Sequence, residues 1–123
     1  MDSLWLSNDN VNNNFNSLKE DLSADVCIIG AGIFGTTCAY YLSKLGYKVV
    51  LLEKDKIGSK TTGNTTGKIT SQHNLFYDYL STSYGENFAK DYLDANEEAI
   101  ENIKKIIDEE KIKCDFSYQN AYV

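Results

Sequence analysis

Residues 25–53 read DVCIIGAGIFGTTCAYYLSKLGYKVVLLE. An apolar run, Val26-Cys27-Ile28-Ile29, meets the turn Gly30-Ala31-Gly32-Ile33-Phe34-Gly35. A helical stretch is expected from Thr36 to Leu45, Gly46 breaks it, and a second apolar run from Val49 to Leu52 ends at Glu53. Strand, glycine turn, helix and parallel strand make one βαβ unit.

Each position in the turn has a physical task. Gly30 permits a sharp exit from the strand. Gly32 has no side chain, so a pyrophosphate can approach the backbone. Gly35 lets the helix lie close on the sheet, with small Ala39 four residues on. The helix N-terminus then turns free N–H groups and a partial positive charge toward phosphates. Glu53, at the end of the second strand, is placed to accept hydrogen bonds from ribose hydroxyls, and its charge would repel a 2′-phosphate. A bare GxGxxG is a weak signal. This one follows a strand, opens a helix and has an acidic residue at the expected distance, so dinucleotide binding is favoured over a βαβ unit that binds nothing.

The 123 residues suffice for one domain with one core. A net charge of −6 without a basic block argues against nucleic acid. The start, Met-Asp-Ser-Leu-Trp, has no basic stretch leading into a long apolar run, and no apolar run approaches membrane-spanning length. The expectation is a protein of the cytoplasm with no membrane partner. Three cysteines, Cys27, Cys38 and Cys114, form no CxxC, and buried free thiols are expected at Cys27 and Cys38. A single histidine excludes a histidine-rich metal site, and no metal is expected. Proline is absent and asparagine abundant, which suggests no function.

Residues 1–24 are polar and asparagine-rich and read as an irregular arm that could dock Trp5 or Phe15. Residues 25–123 read as the N-terminal part of a cofactor-binding domain. After Glu53 comes Lys54-Asp55-Lys56-Ile57-Gly58, then a hydroxyl- and glycine-rich loop from Ser59 to Thr70. Its hydroxyls and N–H groups can bind phosphate oxygens or a polar ring edge. Alone it equally describes a surface loop; its place after a ribose-binding strand end gives it weight. Ser71 to Tyr84 looks helical, with His73 a cap or packing residue rather than a catalyst. A second helix is expected from about Gly85 to Lys111. Ser83-Tyr84-Gly85-Glu86 forms a capping-box pattern, and Phe88, Tyr92, Ala95, Ala99, Ile103, Ile106 and Ile107 form an apolar stripe. Residues 112–123 are strand-like. With only two strong parallel strands, the expected fold is an α/β, Rossmann-like FAD/NAD(P)-binding βαβ domain, incomplete and cut at the start of a substrate domain.

These residues resemble the N-terminal end of FAD-dependent oxidoreductases of the D-amino-acid oxidase and glycine oxidase type. The resemblance runs from about Trp5 to Val123 and is most specific over Asp25–Glu53 and Gly58–Lys68. The pattern of WLS near the start, TTGNTT, and then KITSQH is similar to a bacterial subgroup whose members often carry a C-terminal Rieske iron–sulfur domain. The resemblance implies FAD as cofactor, an amine or amino acid as substrate, and an iron–sulfur electron partner. It implies that Gly30, Ala31, Gly32, Ile33, Phe34 and Gly35 cradle the pyrophosphate. Glu53 would hold the adenosine ribose, with Lys54 beside the adenine. Lys60, Thr61 and Thr62 would contact phosphate and ribityl groups, and Thr65, Thr66, Gly67 and Lys68 would run along the flavin ring. That last segment is often alanine-rich in glycine oxidases, so threonine here departs from the pattern. The implied chemistry is hydride transfer from the carbon beside an amine, with the catalytic residues beyond this chain. Two alternatives stand beside it: an NAD-binding Rossmann domain of a dehydrogenase, and an inactive truncated fragment.

Overall fold

The computed structural model describes Ser3 and residues 15–122. It divides into two compact units, the first ending at Thr66 and the second beginning at Gly67. The docking expected for Trp5 lies outside the described residues. Phe15 is 72% exposed, so it is not docked against the described residues. Residues 15–24 carry neither helix nor strand.

The first unit holds β1 (Val26–Ile29), α1 (Ile33–Lys44) and β2 (Val49–Leu52). The strands pair in parallel, with Val26 opposite Val49 and Ile29 opposite Leu52. Hydrogen bonds beyond the strand ends fix this register. At one end the Asp25 N–H donates to the Lys48 carbonyl at 2.9 Å, while the Lys48 N–H donates to Asp25 Oδ2 at 2.7 Å. At the other end the Gly30 N–H donates to the Leu52 carbonyl at 2.7 Å.

Helix α1 begins three residues earlier than the sequence suggested. Gly32 is extended, at φ −79° and ψ −173°, and acts as N-cap, so Ile33 and Phe34 are already helical. The helix ends where expected. The Gly46 N–H donates to the Ser43 carbonyl and the Tyr47 N–H to the Leu42 carbonyl. Gly46 stands at φ +89°, so the two bonds close a Schellman motif that a side chain would strain. Gly35 is buried where α1 crosses β1.

The cysteine expectation fails. Cys27 is exposed and Cys38 is only partly covered. The period of a strand explains Cys27: Val26 and Ile28 are half-buried, whereas Cys27 and Ile29 point to the face α1 does not cover. Ile29 is 87% exposed.

The second unit holds α2 (Phe76–Tyr84) and α3 (Glu86–Glu109). Helix α2 starts five residues after Ser71. Asn74 adopts φ +52°, and the Thr70 hydroxyl accepts the Gln72 N–H at 3.0 Å, so residues 70–75 turn instead of coiling. The capping box does not form. Ser83 still belongs to α2, and Gly85 at φ +92° joins the two helices and serves as the N-cap of α3 without a side-chain bond.

The apolar stripe of α3 matches the expected one at Tyr92, Ile103, Ile106 and Ile107 and departs from it at Phe88, Ala95 and Ala99. Ala89, Tyr92, Asn96, Ile100, Ile103 and Ile107 are protected, whereas Phe88, Ala95 and Ala99 are exposed. The steps of three and four hold; which face is covered depends on what packs there, and α2 is the helix that packs on α3. Leu80 of α2 is 4% exposed and is the buried anchor of this unit. Around it, Tyr92 stacks edge-on against His73, Phe76 and Tyr77.

Residues 112–122 form no strand, contrary to expectation. A strand exists only where its N–H and C=O groups find a ladder. Here Tyr118 instead donates to Glu101 Oε1 on α3 at 2.9 Å. Among the described residues, no helix is long and apolar enough to cross a membrane.

Candidate cofactor site

The site is built where β1 ends and α1 begins. Gly30 leaves β1 at φ +99°, a conformation in the half of backbone space that side chains avoid. This reversal carries the next residues under the start of α1. Ala31 is completely buried there. Gly35 is required by close approach: a Cβ on it would stand 1.9 Å from the Gly30 carbonyl oxygen and 3.4 Å from Ile28 Cγ2. Ile33 and Phe34 are 65% and 80% exposed at the rim.

Glu53 follows β2 and turns its carboxylate back onto the glycine turn. Oε2 accepts the Ala31 N–H at 2.8 Å, and Oε1 accepts the Asp55 N–H at 2.9 Å. These N–H donors, Asp55 first and Ala31 second, hold the carboxyl below its ordinary value. Glu53 is therefore ionised and pre-oriented. A carboxylate offers about four lone-pair sites, so acceptor capacity is left for hydroxyls.

The loop after Glu53 folds against the same turn. The Gly58 N–H donates to the Ala31 carbonyl at 3.0 Å. Asp55 pairs with Lys60 at 3.0 Å, and that hydrogen bond raises the Lys60 ammonium above its usual value. Lys54 lies exposed in the bend between Glu53 and Asp55. Thr61 precedes a short 3-10 turn, Thr62–Asn64, and the Asn64 side-chain amide donates to the Lys60 carbonyl at 2.7 Å. Buried Gly63 offers its carbonyl to the Ser3 hydroxyl.

Thr62 reaches back to the helix. The Ile33 N–H donates to Thr62 Oγ1 at 2.9 Å, across 29 residues of sequence. The same oxygen lies 3.2 Å from where a Cβ of Gly32 would stand.

The first unit thus brings together Gly30 to Gly35, Glu53, Lys60 and Thr62, with Lys54 and Thr61 in the connecting loop. Thr65 and Thr66 are exposed at its end. Gly67, at φ +72°, and exposed Lys68 belong to the second unit. Asp55 and Gly58 also hold this region together, and Asp25 pins the strand pair at its far end; sequence reasoning does not pick them out. Their signals are faint: an Asp ahead of the first strand, an Asp two residues after Glu53, and a glycine, at φ +71°, in a polar loop.

The groups present fit the adenosine and pyrophosphate part of a dinucleotide. No acidic side chain stands in the first turn of α1, and Gly32 makes no side-chain cap bond. The first N–H groups of a helix have no partner within it; that of Ile33 is met by Thr62 Oγ1, and those that follow can serve an anion. Glu53 offers its acceptors at the adjoining strand end.

A parallel βαβ unit with a glycine turn and an acidic strand end defines a Rossmann-type nucleotide-binding unit. Residues 25–123 match the DAO family, FAD dependent oxidoreductase, and the chain belongs to that family. It is similar to YhfW of Bacillus subtilis (strain 168), a candidate Rieske 2Fe-2S iron-sulfur protein. The two are 46% identical over 109 residues, covering 89% of this chain and 21% of YhfW. It is 30% identical over 109 residues to gamma-glutamylputrescine oxidoreductase of Escherichia coli (strain K12), covering 89% of this chain and 26% of that enzyme. It is 40% identical over 45 residues to glycine oxidase of Bacillus licheniformis, covering 37% of this chain and 12% of that enzyme. The chain therefore spans about a quarter or less of the length of these relatives. No solved structure matches it.

Proposed function

We propose that this chain supplies the adenosine and pyrophosphate half of the FAD site in an oxidoreductase that oxidises amines or amino acids. The observation that carries the reading is the clasp between β2 and the glycine turn, in which Glu53 Oε2 accepts the Ala31 N–H at 2.8 Å. It places an ionised acceptor beside the N-terminus of a helix that has no acidic side chain in its first turn. Ribose hydroxyls and phosphates are adjacent in nucleotides, the adenine dinucleotides among them.

In this reading Gly30, Ala31, Gly32, Ile33, Phe34 and Gly35 surround the pyrophosphate. Glu53 binds the ribose hydroxyls and Lys54 flanks the adenine. Lys60, Thr61 and Thr62 lie along the phosphate and ribityl stretch, and Thr65, Thr66, Gly67 and Lys68 follow the flavin ring. FAD, when bound, accepts a hydride from the carbon beside nitrogen. The protein's part is to bind and orient. The names of the glycine oxidase and the gamma-glutamylputrescine oxidoreductase support amine or amino-acid substrates. Similarity to YhfW supports an iron–sulfur partner for the electrons.

The test is a titration of the purified chain with FAD, ADP and NAD, followed by flavin fluorescence and calorimetry. FAD binding tighter than NAD, with ADP competing, is expected. NAD binding tighter than FAD would turn the reading into a dehydrogenase domain, and binding of none would end it.

A further inference from the structure

The loop after Glu53 carries Lys60, Thr61 and Thr62, and its first half is tied to the glycine turn. The Gly58 N–H donates to the Ala31 carbonyl at 3.0 Å, and Thr62 Oγ1 accepts the Ile33 N–H at 2.9 Å. The second half begins in the 3-10 turn Thr62–Asn64. That turn closes with local bonds, from the Asn64 N–H to the Thr61 carbonyl at 3.2 Å and from the Thr65 N–H to the Thr62 carbonyl at 3.4 Å. Both are long for N–H···O bonds. A further bond comes from far along the chain. The Ser3 hydroxyl donates to the Gly63 carbonyl, across 60 residues of sequence. Gly63 is buried and Ser3 is partly buried, so the bond is shielded from bulk water.

A buried carbonyl keeps its place while it has a donor. Without the Ser3 hydroxyl, the Gly63 carbonyl either stays buried and unpaired, which is the more expensive course, or turns out to water. Turning it out rotates the peptide unit between Gly63 and Asn64. The Asn64 side-chain amide holds the Lys60 carbonyl at 2.7 Å, so the rotation is passed to Lys60 and Thr61. The carboxylate of Glu53 is oriented separately, by the Ala31 and Asp55 N–H groups.

We infer that Ser3 is a positioning residue for the cofactor loop: its hydroxyl fixes the Thr62–Asn64 turn and, through Asn64, the backbone at Lys60. The inference rests on the dinucleotide reading above, in which this loop follows the phosphates toward the ribityl chain. Ser3 acts through the loop and not on the ligand. It lies outside the βαβ motif, in a stretch whose sequence reads only as an arm. Its influence falls on one end of the ligand, because the adenosine end is held by Glu53.

The experiment compares the wild-type chain with Ser3→Ala and Ser3→Thr. FAD and adenosine are titrated by calorimetry, and backbone amides are followed by NMR without ligand. In Ser3→Ala the amide signals of Lys60, Thr61, Thr62, Gly63 and Asn64 shift and exchange faster, while those of β1 and β2 stay in place. FAD binds roughly 3- to 10-fold more weakly, the equivalent of one net hydrogen bond. Adenosine binds as it does to the wild type. Ser3→Thr keeps the hydroxyl and restores both the loop signals and the FAD affinity. Unmoved loop amides or unchanged FAD affinity in Ser3→Ala overturns the positioning role and leaves the dinucleotide reading standing. Equal losses for FAD and adenosine, or no rescue by threonine, overturn it too, and assign the effect to a general loss of stability. FAD binding by none of the three chains overturns the dinucleotide reading and this role with it.

Discussion

Replacing Gly35 with alanine sets two effects of known size against each other. Gly35 lies inside α1, where alanine is the better helix former by about 1 kcal/mol. Propensity alone therefore predicts a more stable protein. The structure predicts the reverse. The new Cβ would stand 1.9 Å from the Gly30 carbonyl oxygen and 3.1 Å from its carbon, and side-chain Cβ atoms essentially never come within 3.0 Å of such neighbours. Both obstructing atoms are backbone, and Gly30 is held by its N–H bond to Leu52 at 2.7 Å. No rotamer change relieves the clash, so α1 must retreat from β1 by about 1 Å along its packed face. Overpacking that side chains can absorb costs about 1–3 kcal/mol. A rigid clash exceeds that range, and after the propensity gain of about 1 kcal/mol a net loss of at least about 2 kcal/mol remains.

The assay is urea unfolding followed by far-UV circular dichroism. With a slope of about 1–3 kcal/mol per molar for a domain of this size, the midpoint falls by about 0.7 M or more, or the protein does not fold. Gly46→Ala is the control. Gly46 has nothing within 4 Å of an added Cβ, and its φ of +89° is the only obstacle. Its cost is roughly 1–2 kcal/mol. Equal midpoints for Gly35→Ala and the wild type, or a smaller loss for Gly35→Ala than for Gly46→Ala, would refute the close-approach reasoning.

Three further outcomes are expected. Glu53→Gln removes a carboxylate whose pKa is lowered by the Asp55 and Ala31 N–H groups. A lowered pKa contributes stability that is full above the ordinary carboxyl value of 4.5 and is lost as pH falls through the lower folded value. The thermal midpoints of wild type and variant should therefore converge on acidification below that value; a gap independent of pH would contradict the assignment. Leu80→Ala, at a site 4% exposed, should cost about 2–4 kcal/mol in chemical denaturation, and a cost below about 1 kcal/mol would show that Leu80 does not anchor α2 on α3. Asp25→Ala removes the acceptor of the Lys48 N–H, held at 2.7 Å, and should cost about 0.5–1.5 kcal/mol. Asp25→Asn, which keeps an oxygen at that place, should recover most of it; equal losses would assign the effect to charge.

The βαβ unit is legible in the sequence because its signals are local. The apolar runs, the glycine spacing and Gly46 each constrain backbone geometry within a few residues, and β1, α1 and β2 fall where the pattern puts them apart from the start of α1. Glu53 is legible for the same reason, as the residue that closes β2. What the sequence does not disclose depends on partners distant along the chain. Cys27 lies on a strand, but its exposure is decided by which face α1 covers. The capping-box spelling at Ser83 is overruled because α2 runs through it to Gly85. The stripe on α3 keeps its spacing but is covered at Ala89, Asn96 and Ile100 in place of Phe88, Ala95 and Ala99, and residues 112–122 have strand chemistry without a ladder. The bond from Ile33 to Thr62 spans 29 residues and has no periodicity to betray it. By itself the sequence determined backbone conformation where glycine and apolar spacing leave few choices. Tertiary structure decided burial, which residues of α3 are covered and the identity of the group that meets the helix N-terminus, because each of these depends on which surfaces meet.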